Sequence, residues 1–285
     1  MNTILTFVGG GERDEVILRT ALAAAIPLSA HLDCLHARVP STMAARYANL
    51  DFATGEAVGR VINQLGADAQ TYADLAAKNV RTFCASAGIE MGDVPDGAQG
   101  LTAKFFEEPS NELECLSQHA AKRDLVVMGR ARQKQGLAPD TLEHIVRNSG
   151  RPVLAAGKTA PQTLTETVLV CWKDAGSTTA VVKDAAPLLA TAKRVIFLCV
   201  TKRDGGRAAE MTTTARELVG IEVETKVVPP GSGGIPQTLA SAADECGANL
   251  LVIGAYGSSR GKQILFGSCT DKLLDCTDRP VLLRH

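Results

Sequence analysis

Short apolar runs alternate along this chain with longer segments in which apolar residues recur every three or four positions. The short runs are typical of buried strands, and the longer segments are typical of helices that pack by one face. The predicted strands are Thr3–Val8, His31–Val39, Ile89–Val94, Asp124–Met128, Pro152–Ala156, Thr167–Trp172, Arg194–Val200, Glu222–Val228, Leu250–Ile253 and Val281–Leu283. The predicted helices are Glu12–Ile26, Glu56–Ala87, Asn111–Ala120, Thr141–Val146, Ser177–Ala190, Ala208–Val219, Ile235–Cys246 and Ser268–Leu274. This alternation predicts βαβ units and a parallel sheet, which is an α/β fold.

Two stretches fit this pattern poorly. Residues 41–55 are weakly patterned, and residues 95–109 are expected to form a loop. The long helical segment contains Gly66, which is a candidate break.

The order of elements in the first half of the chain is repeated in the second half. Residues 4–8 (ILTFV) align with residues 168–172 (VLVCW) at the two first strands. Residues 140–154 align without a gap with residues 268–282, and both segments end in Arg-Pro-Val-Leu. Self-similarity of this kind predicts two copies of one structural unit.

The repeat defines the expected domain organisation. We predict two α/β domains, residues 1–157 and residues 167–285. Between them lies Gly157–Glu166, a segment of glycine, proline and polar residues that is typical of a linker. The first copy is the longer one, and we place its insertion near residues 40–78.

Composition narrows the classes of function. The 285 residues carry a net charge of −1 and are 45% hydrophobic, which is typical of a globular protein and gives no support for a general nucleic-acid or membrane-surface binder. No apolar run reaches the roughly 18 residues of a transmembrane helix. The N-terminal segment predicts a strand and a turn and not a signal peptide. The eight cysteines include no C-x-x-C pair, so we expect reduced thiols and a cytoplasmic location.

A loop near the C-terminus carries the strongest candidate site. Gly254 follows the predicted strand Leu250–Ile253 directly, and Gly257 and Gly267 lie further along the same loop. Ser268 then begins a predicted helix. Glycine allows the backbone to approach a ligand closely, and a helix N-terminus offers free N–H groups and a positive dipole end. The stretch therefore predicts an anion-binding site.

The corresponding loop of the first half has different chemistry. Arg132 stands at the position of the second glycine, and Pro139-Asp140 stands where the second half has Gly267-Ser268. Proline lacks an N–H donor, and Asp140 places a negative charge where a phosphate would lie. We therefore predict one anion site per chain, in the second half.

The spacing Gly254-x2-Gly257-x9-Gly267-Ser268, followed by a helix and Arg-Pro-Val-Leu-Leu, resembles the universal stress protein family. The local sequence GAYGSSR is similar to the bacterial tandem-domain members. The resemblance implies two tandem, doubly wound, parallel five-stranded sheets of order 3-2-1-4-5. It also implies a stress-response regulator that binds ATP, with or without Mg²⁺, or a related adenine nucleotide over the carboxyl ends of strands 1 and 4.

The resemblance assigns roles to individual residues of the second half. Ribose and phosphates would be held by Gly254, Gly257, Gly267, Ser268 and Thr270. The backbone at Val200 would meet the adenine, and Asp174 would be the acid that follows the first strand. In the family's usual pattern Asp-Gly-Ser follows that strand directly, whereas this chain reads Lys-Asp-Ala-Gly-Ser, with one extra residue.

The resemblance further implies how the halves associate. The last strands, Pro152–Ala156 and Pro280–Leu283, are expected to pair, so that the two domains form an intramolecular pseudo-dimer. A homodimer of chains is left open. An alternative function is a nucleotide-free interaction module, which the irregular turn Lys173–Ser177 favours. A slow ATPase is a third alternative, but no general base or set of metal ligands stands out, so no enzyme is predicted.

The remaining reactive side chains have two interpretations each. The five histidines show no metal-ligand spacing, and no metal site is predicted. Cys34-x-His36 could be half of a metal site, but packing within a strand accounts for it as well. Cys269, next to a predicted helix N-terminus, could have a lowered thiol pKa and a redox role, or it could be a small buried side chain.

Overall fold

A computed structural model describes residues 1–41, 56–93, 100–130, 141–173, 175–255 and 269–285. The strands are β1 (Thr3–Phe7), β2 (His31–Ala37), β3 (Glu90–Met91), β4 (Thr102–Glu108), β5 (Leu125–Met128), β6 (Val153–Ala155), β7 (Thr167–Trp172), β8 (Arg194–Val200), β9 (Glu224–Val228), β10 (Leu250–Gly254) and β11 (Val281–Arg284). The helices are α1 (Asp14–Leu28), α2 (Glu56–Ala87), α3 (Glu112–Ala120), α4 (Thr141–Asn148), α5 (Ala175–Leu189), α6 (Arg207–Val219), α7 (Gly234–Glu245) and α8 (Thr270–Cys276). The α/β fold predicted from the sequence is confirmed.

All strands belong to one eleven-stranded sheet of order β3-β4-β2-β1-β5-β6-β11-β10-β7-β8-β9. Neighbouring strands are parallel within each half of the chain, and β6 and β11 pair antiparallel at the junction. Counted from β7, the C-terminal half has the order 3-2-1-4-5. The N-terminal half repeats this order and adds the two-residue strand β3 at its edge.

The central strands are continuous apolar runs because helices cover both faces of the sheet. In β10, alternate residues enter different apolar clusters: Leu250 and Val252 join one cluster, while Leu251 and Ile253 join the other. Each cluster contains side chains from both halves of the chain. The two halves therefore share their apolar packing on each face of the sheet.

The pairing of the last strands holds the halves together. The two strands pair as the family resemblance implied, and in their antiparallel register Leu154 of β6 lies opposite Leu282 of β11. Arg13 fixes the start of the linker, because its guanidinium donates to the carbonyl oxygens of Gly157 and Lys158, each at 2.7 Å. Lys158 in turn pairs with Asp278 at 2.6 Å.

Two local expectations were wrong. Residues 95–109 were expected to form a loop, but Thr102–Glu108 is the strand β4, which lies between β2 and β3. This strand was missed because it has no continuous apolar run, and only its Ala103 is fully buried. The candidate break at Gly66 is absent, since α2 is continuous through it. An isolated glycine inside a helix is tolerated at a cost of about 1 kcal/mol.

The extra length of the N-terminal half lies between its second and third main strands. There α2 has 32 residues, whereas α6, in the same place of the C-terminal half, has 13. The insertion near residues 40–78 and the domain boundaries remain predictions. Among the helices in the described ranges, none has the length and apolar content needed to cross a membrane.

A buried ion pair in the N-terminal half predicts a pH dependence. Asp33 accepts a hydrogen bond from Arg123 Nε at 2.7 Å and lies 3.4 Å from His31 Nε2. Burial would raise the pKa of Asp33, but the hydrogen bonds from His31 and Arg123 outweigh burial and hold the pKa below its ordinary 3.8. A carboxyl group with a lowered folded-state pKa stabilises the fold above its unfolded-state pKa, and this contribution is lost as the pH falls through the folded-state value.

We therefore expect Asp33→Asn to cost about 2 kcal/mol at pH 7. The difference from the unsubstituted chain should shrink as the pH falls below about 4. Urea denaturation across a pH series measures both values. Glu217→Gln, at an exposed acid, is the control and should change little at any pH. A cost for Asp33→Asn that does not vary with pH would contradict the assignment.

Candidate functional site

The strand β7 is the point at which the C-terminal half reverses its direction across the sheet. From β7 the chain first moves outward to β8 and β9, and it then returns to β10 and β11 on the other side. Trp172, the last residue of β7, pairs with Cys199 of β8. Cys171 pairs with Ile253 of β10, so all three strands end at one edge. Ligands of open α/β sheets bind outside the carboxyl ends of the strands at such a reversal.

Val200, the predicted adenine contact, lies at this edge. It is the last residue of β8 and extends one residue beyond the pair formed by Cys199 and Trp172. On its other side it pairs with Val228, and the N–H of Thr201 donates to the Val228 carbonyl oxygen at 2.8 Å. Its position agrees with the expectation, while the contact with adenine remains a prediction.

The connection between β7 and α5 is short. It consists of Lys173 and Asp174, because α5 begins at Ala175. The backbone N–H of Lys173 donates to the hydroxyl of Thr178 at 3.3 Å, and Thr178 is buried. This bond fixes the strand end against the first turns of the helix. Asp174, the predicted family acid, lies outside the described residues.

The glycine loop begins at the same edge. Gly254 is the last residue of β10, and the N–H of the next residue donates to the carbonyl oxygen of Arg284 at 2.7 Å. Gly257, Gly267 and Ser268 lie outside the described residues, so their predicted roles are untested. The loop leads to Thr270, which is the buried first residue of α8.

The pKa of the Cys269 thiol depends on the surroundings at the start of α8. Burial raises the pKa of this thiol, and the nearby cations of Lys173 and Lys272 only partly oppose the shift. The hypothesis of a lowered pKa is therefore wrong. The alternative of a small buried side chain is wrong as well, because Cys269 as a residue is exposed although its thiol is partly desolvated. The effect of Lys173 on this thiol also places a cation between the end of β7 and the start of α8.

Two features of this edge are compatible with an anionic aromatic ligand. Lys173 supplies a positive charge beside the two loops that end there. Within the described part of the chain, the buried indole Nε1 of Trp172 has no hydrogen-bond partner. Of the predicted nucleotide contacts, the described residues include only Val200, Gly254 and Thr270.

The turn after β1 is the counterpart, in the N-terminal half, of the turn after β7. Its backbone N–H groups already have a hydrogen-bond partner within the chain. After β1, the N–H groups of Gly9 and Gly10 each donate to the carboxylate of Asp14 at 2.9 Å. The side-chain amide of Asn79, from α2, donates to the same carboxylate at 3.0 Å. Burial raises the pKa of Asp14, and these three donors and His36 oppose the shift. The sequence analysis did not single out Asp14, which lies beyond the glycines.

For Cys34 and His36, the structure favours packing within a strand over half of a metal site. Both lie in the buried strand β2, and His36 Nδ1 is 2.8 Å from the carbonyl oxygen of Val8.

A different group was missed by the sequence analysis: Glu108, Cys115 and His119 lie together beyond the carboxyl end of β4. A local signal existed, because Cys115 and His119 are four residues apart in a predicted helix and therefore share a face.

Comparison with known families assigns the C-terminal half. The profile of the universal stress protein family matches residues 167–285, which contain β7 to β11 and α5 to α8. This segment is therefore similar to universal stress proteins. It is called the universal stress protein domain below.

Individual relatives extend the comparison. A universal stress protein of Synechocystis is 26% identical over 179 residues, which are 60% of this chain and 61% of the relative. The match thus spans less than two thirds of the relative's length. The structure of a universal stress protein from Archaeoglobus fulgidus is similar with a TM-score of 0.68 and 13% identity, over 99% of this chain and 98% of that one. A functionally unknown protein from Pseudomonas aeruginosa has a TM-score of 0.55 and 16% identity, over 100% and 92%.

These two solved structures show the fold alone, since identities are low. They nevertheless cover nearly the whole chain, including the N-terminal half that the family profile does not match. The arrangement of both halves in one sheet is therefore similar to that of known proteins.

Proposed function

We propose that the universal stress protein domain binds ATP, with or without Mg²⁺, or a related adenine nucleotide, and that the chain is a stress-response regulator of the cytoplasm. The observation that carries the proposal is the reversal at β7, which brings Lys173, Val200 and Gly254 to one edge inside the domain that matches the family. Such reversals are where open α/β sheets bind nucleotides. All eight cysteines are free, which supports a reducing compartment.

The roles of individual residues follow the chemistry of the ligand. Gly257, Gly267, Ser268 and Thr270 would surround the phosphates with backbone N–H groups and hydroxyls. Asp174 would contact the ribose side of the nucleotide, and Lys173 would offset phosphate charge. The N-terminal half would bind no nucleotide at the corresponding loop, because the carboxylate of Asp14 already accepts from Gly9 and Gly10.

Titration calorimetry with ATP tests the proposal. The unsubstituted chain should bind one ATP, and Gly267→Val should weaken binding by at least about tenfold, which is about 1.4 kcal/mol. Gly100→Val is the matched control, because a side chain added there meets no atom within 4 Å. The absence of ATP binding by the unsubstituted chain would refute the proposal.

A nucleotide-free interaction module is the second candidate. It is favoured by the sequence after β7, which has one residue more than the family's pattern around Asp174. The supernatant of heat-denatured, natively purified protein distinguishes the two functions. Adenine absorbance in this supernatant supports the nucleotide-binding protein, and its absence together with failed ATP titration supports the interaction module.

We propose binding without turnover, so phosphate release above background that Ser268→Ala abolishes would instead indicate an ATPase.

A further inference from the structure

A cluster of three metal-ligand side chains lies in the N-terminal half, on different elements from the nucleotide edge. Glu108 is the last residue of β4, and α3 begins four residues later. Asn111 caps this helix, since its side-chain oxygen accepts from the N–H of Glu114 at 2.8 Å. Cys115 and His119 stand on successive turns of α3 and face the same way. The turn after β4 brings that face of the helix onto Glu108.

The donor atoms are close to the spacing that a tetrahedral cation requires. His119 Nε2 lies 2.7 Å from one carboxylate oxygen of Glu108, and Cys115 Sγ lies 3.6 Å from the other. All three donor atoms lie within 4.8 Å of one another. Zinc bonds of about 2.0–2.3 Å in tetrahedral geometry separate such atoms by roughly 3.3–3.6 Å. A small outward shift of the carboxylate would therefore admit the ion.

The cluster is closed on one side and accessible on the other. Cys115 is only 1% exposed, whereas the side chains of His119 and Glu108 are 14% and 37% exposed. The ring of Phe106 packs against that of His119 with centroids 5.0 Å apart, which restrains the imidazole. An ion could enter from the carboxylate side and keep a water as a fourth ligand.

Without a cation the thiol of Cys115 keeps its proton. Burial, with the neighbouring carboxylate of Glu108, raises the pKa of Cys115 to about 12, so the thiol remains protonated and donates to Glu108. A bound divalent cation reverses this preference because it stabilises the thiolate. Metal binding at this position should therefore release a proton.

We propose that Glu108, Cys115 and His119 form a binding site for a thiophilic divalent cation, with Zn²⁺ as the best match. Sulfur and imidazole nitrogen are ligands that zinc prefers, whereas Mg²⁺ and Ca²⁺ prefer oxygen alone. The competing account is an ion-free hydrogen-bonded cluster in which the carboxylate bridges the thiol and the imidazole. The two accounts differ in metal affinity, in proton release and in the state of the sulfur.

The test uses the full-length, tag-free, reduced chain and Zn²⁺ alone, in competition with a chromophoric chelator. We expect one ion per chain and the release of about one proton. Cys115→Ser and Glu108→Gln should each weaken binding by at least about 100-fold, which is the upper range for loss of an outer-shell partner. Cys84→Ser is the matched control: Cys84 is an equally buried cysteine of the same half, packed in the other apolar cluster.

Co²⁺ substitution reports on the sulfur directly. A thiolate-to-cobalt charge-transfer band should be present in the unsubstituted chain and in Cys84→Ser, and absent in Cys115→Ser. Circular dichroism checks that each variant is folded. The proposal is overturned if Zn²⁺ binds no more tightly to the unsubstituted chain than to Cys115→Ser, or if the cobalt band survives that substitution. ATP titration of the same variants is unaffected by either result, because the nucleotide site lies in the other half.

Discussion

Replacing Arg130 with methionine is expected to lower the free energy of unfolding by about 3 kcal/mol. Arg130 follows β5 in the N-terminal half, and its buried guanidinium donates to the carbonyl oxygens of Leu274, Thr277 and Arg279 at and after the end of α8. Leu274 lies in the last turn of α8 and Thr277 is its C-cap, where carbonyl oxygens lack internal donors and the dipole favours a cation. Arg279 lies in the connection from α8 to β11. Methionine fills much of the volume but leaves the three acceptors without this donor.

The charge of Arg130 is retained in the folded chain. Burial lowers the pKa of its guanidinium to about 10, and Asp278 partly opposes the shift, so the side chain is cationic at neutral pH. Guanidinium chloride denaturation measures the loss of stability. Arg19→Met is the matched control, since Arg19 makes an exposed pair with Glu15 one turn away that contributes at most about 0.5 kcal/mol. Equal effects of the two substitutions would show that Arg130 does not hold the halves together.

Gly10→Ala is expected to destabilise the chain by about 4 kcal/mol or to prevent folding. Gly10 has a φ of 81°, and a Cβ atom added to it would lie 2.2 Å from the carbonyl oxygen of Tyr72 in α2. Neither backbone can move freely. The N–H of Gly10 is bound to Asp14, and Tyr72 lies inside a 32-residue helix. The substitution therefore combines strain at a left-handed residue with a clash between two main chains.

Gly88→Ala separates these two effects. Gly88 has a φ of 66°, but a Cβ atom there meets nothing within 4 Å, so alanine should cost only the conformational strain of about 1–2 kcal/mol. Thermal and urea denaturation of both variants measure the difference, and limited proteolysis detects α2 if it detaches in Gly10→Ala. If the two variants lose equal stability, the close approach of Tyr72 to Gly10 does not constrain the fold.

Much of the fold could be predicted because the informative residues are adjacent in sequence. The bounds of Thr167–Trp172 and Arg194–Val200 were predicted as they stand in the structure, since a strand buried on both faces is a continuous apolar run. β4 was missed for the converse reason. Of its seven residues only Ala103 is fully buried, and its strand conformation depends on pairing with the distant strand β2.

The candidate sites divide in the same way. The glycine spacing after β10 is local, and it predicts a nucleotide site at the edge where the strands reverse. The contacts of Asp14 with Asn79, and of Arg130 with α8, join residues 65 to 149 positions apart, and no short pattern reports them. Cys115 and His119 did carry a local signal. Its significance depended on Glu108, which reaches them only because the chain turns back after β4.

Two separate copies of an α/β unit, joined only by their last strands, would come apart on dilution because their association depends on concentration. In this chain β6 and β11 are parts of one polypeptide, so the same contact forms intramolecularly at any dilution. Covalent linkage also removes the need for the copies to be identical. In the N-terminal half, the carboxylate of Asp14 and the helix α2 fill the turn after β1. The C-terminal half keeps the glycine residues of the loop after β10. The chain thus carries two unlike partners at a fixed ratio of one to one.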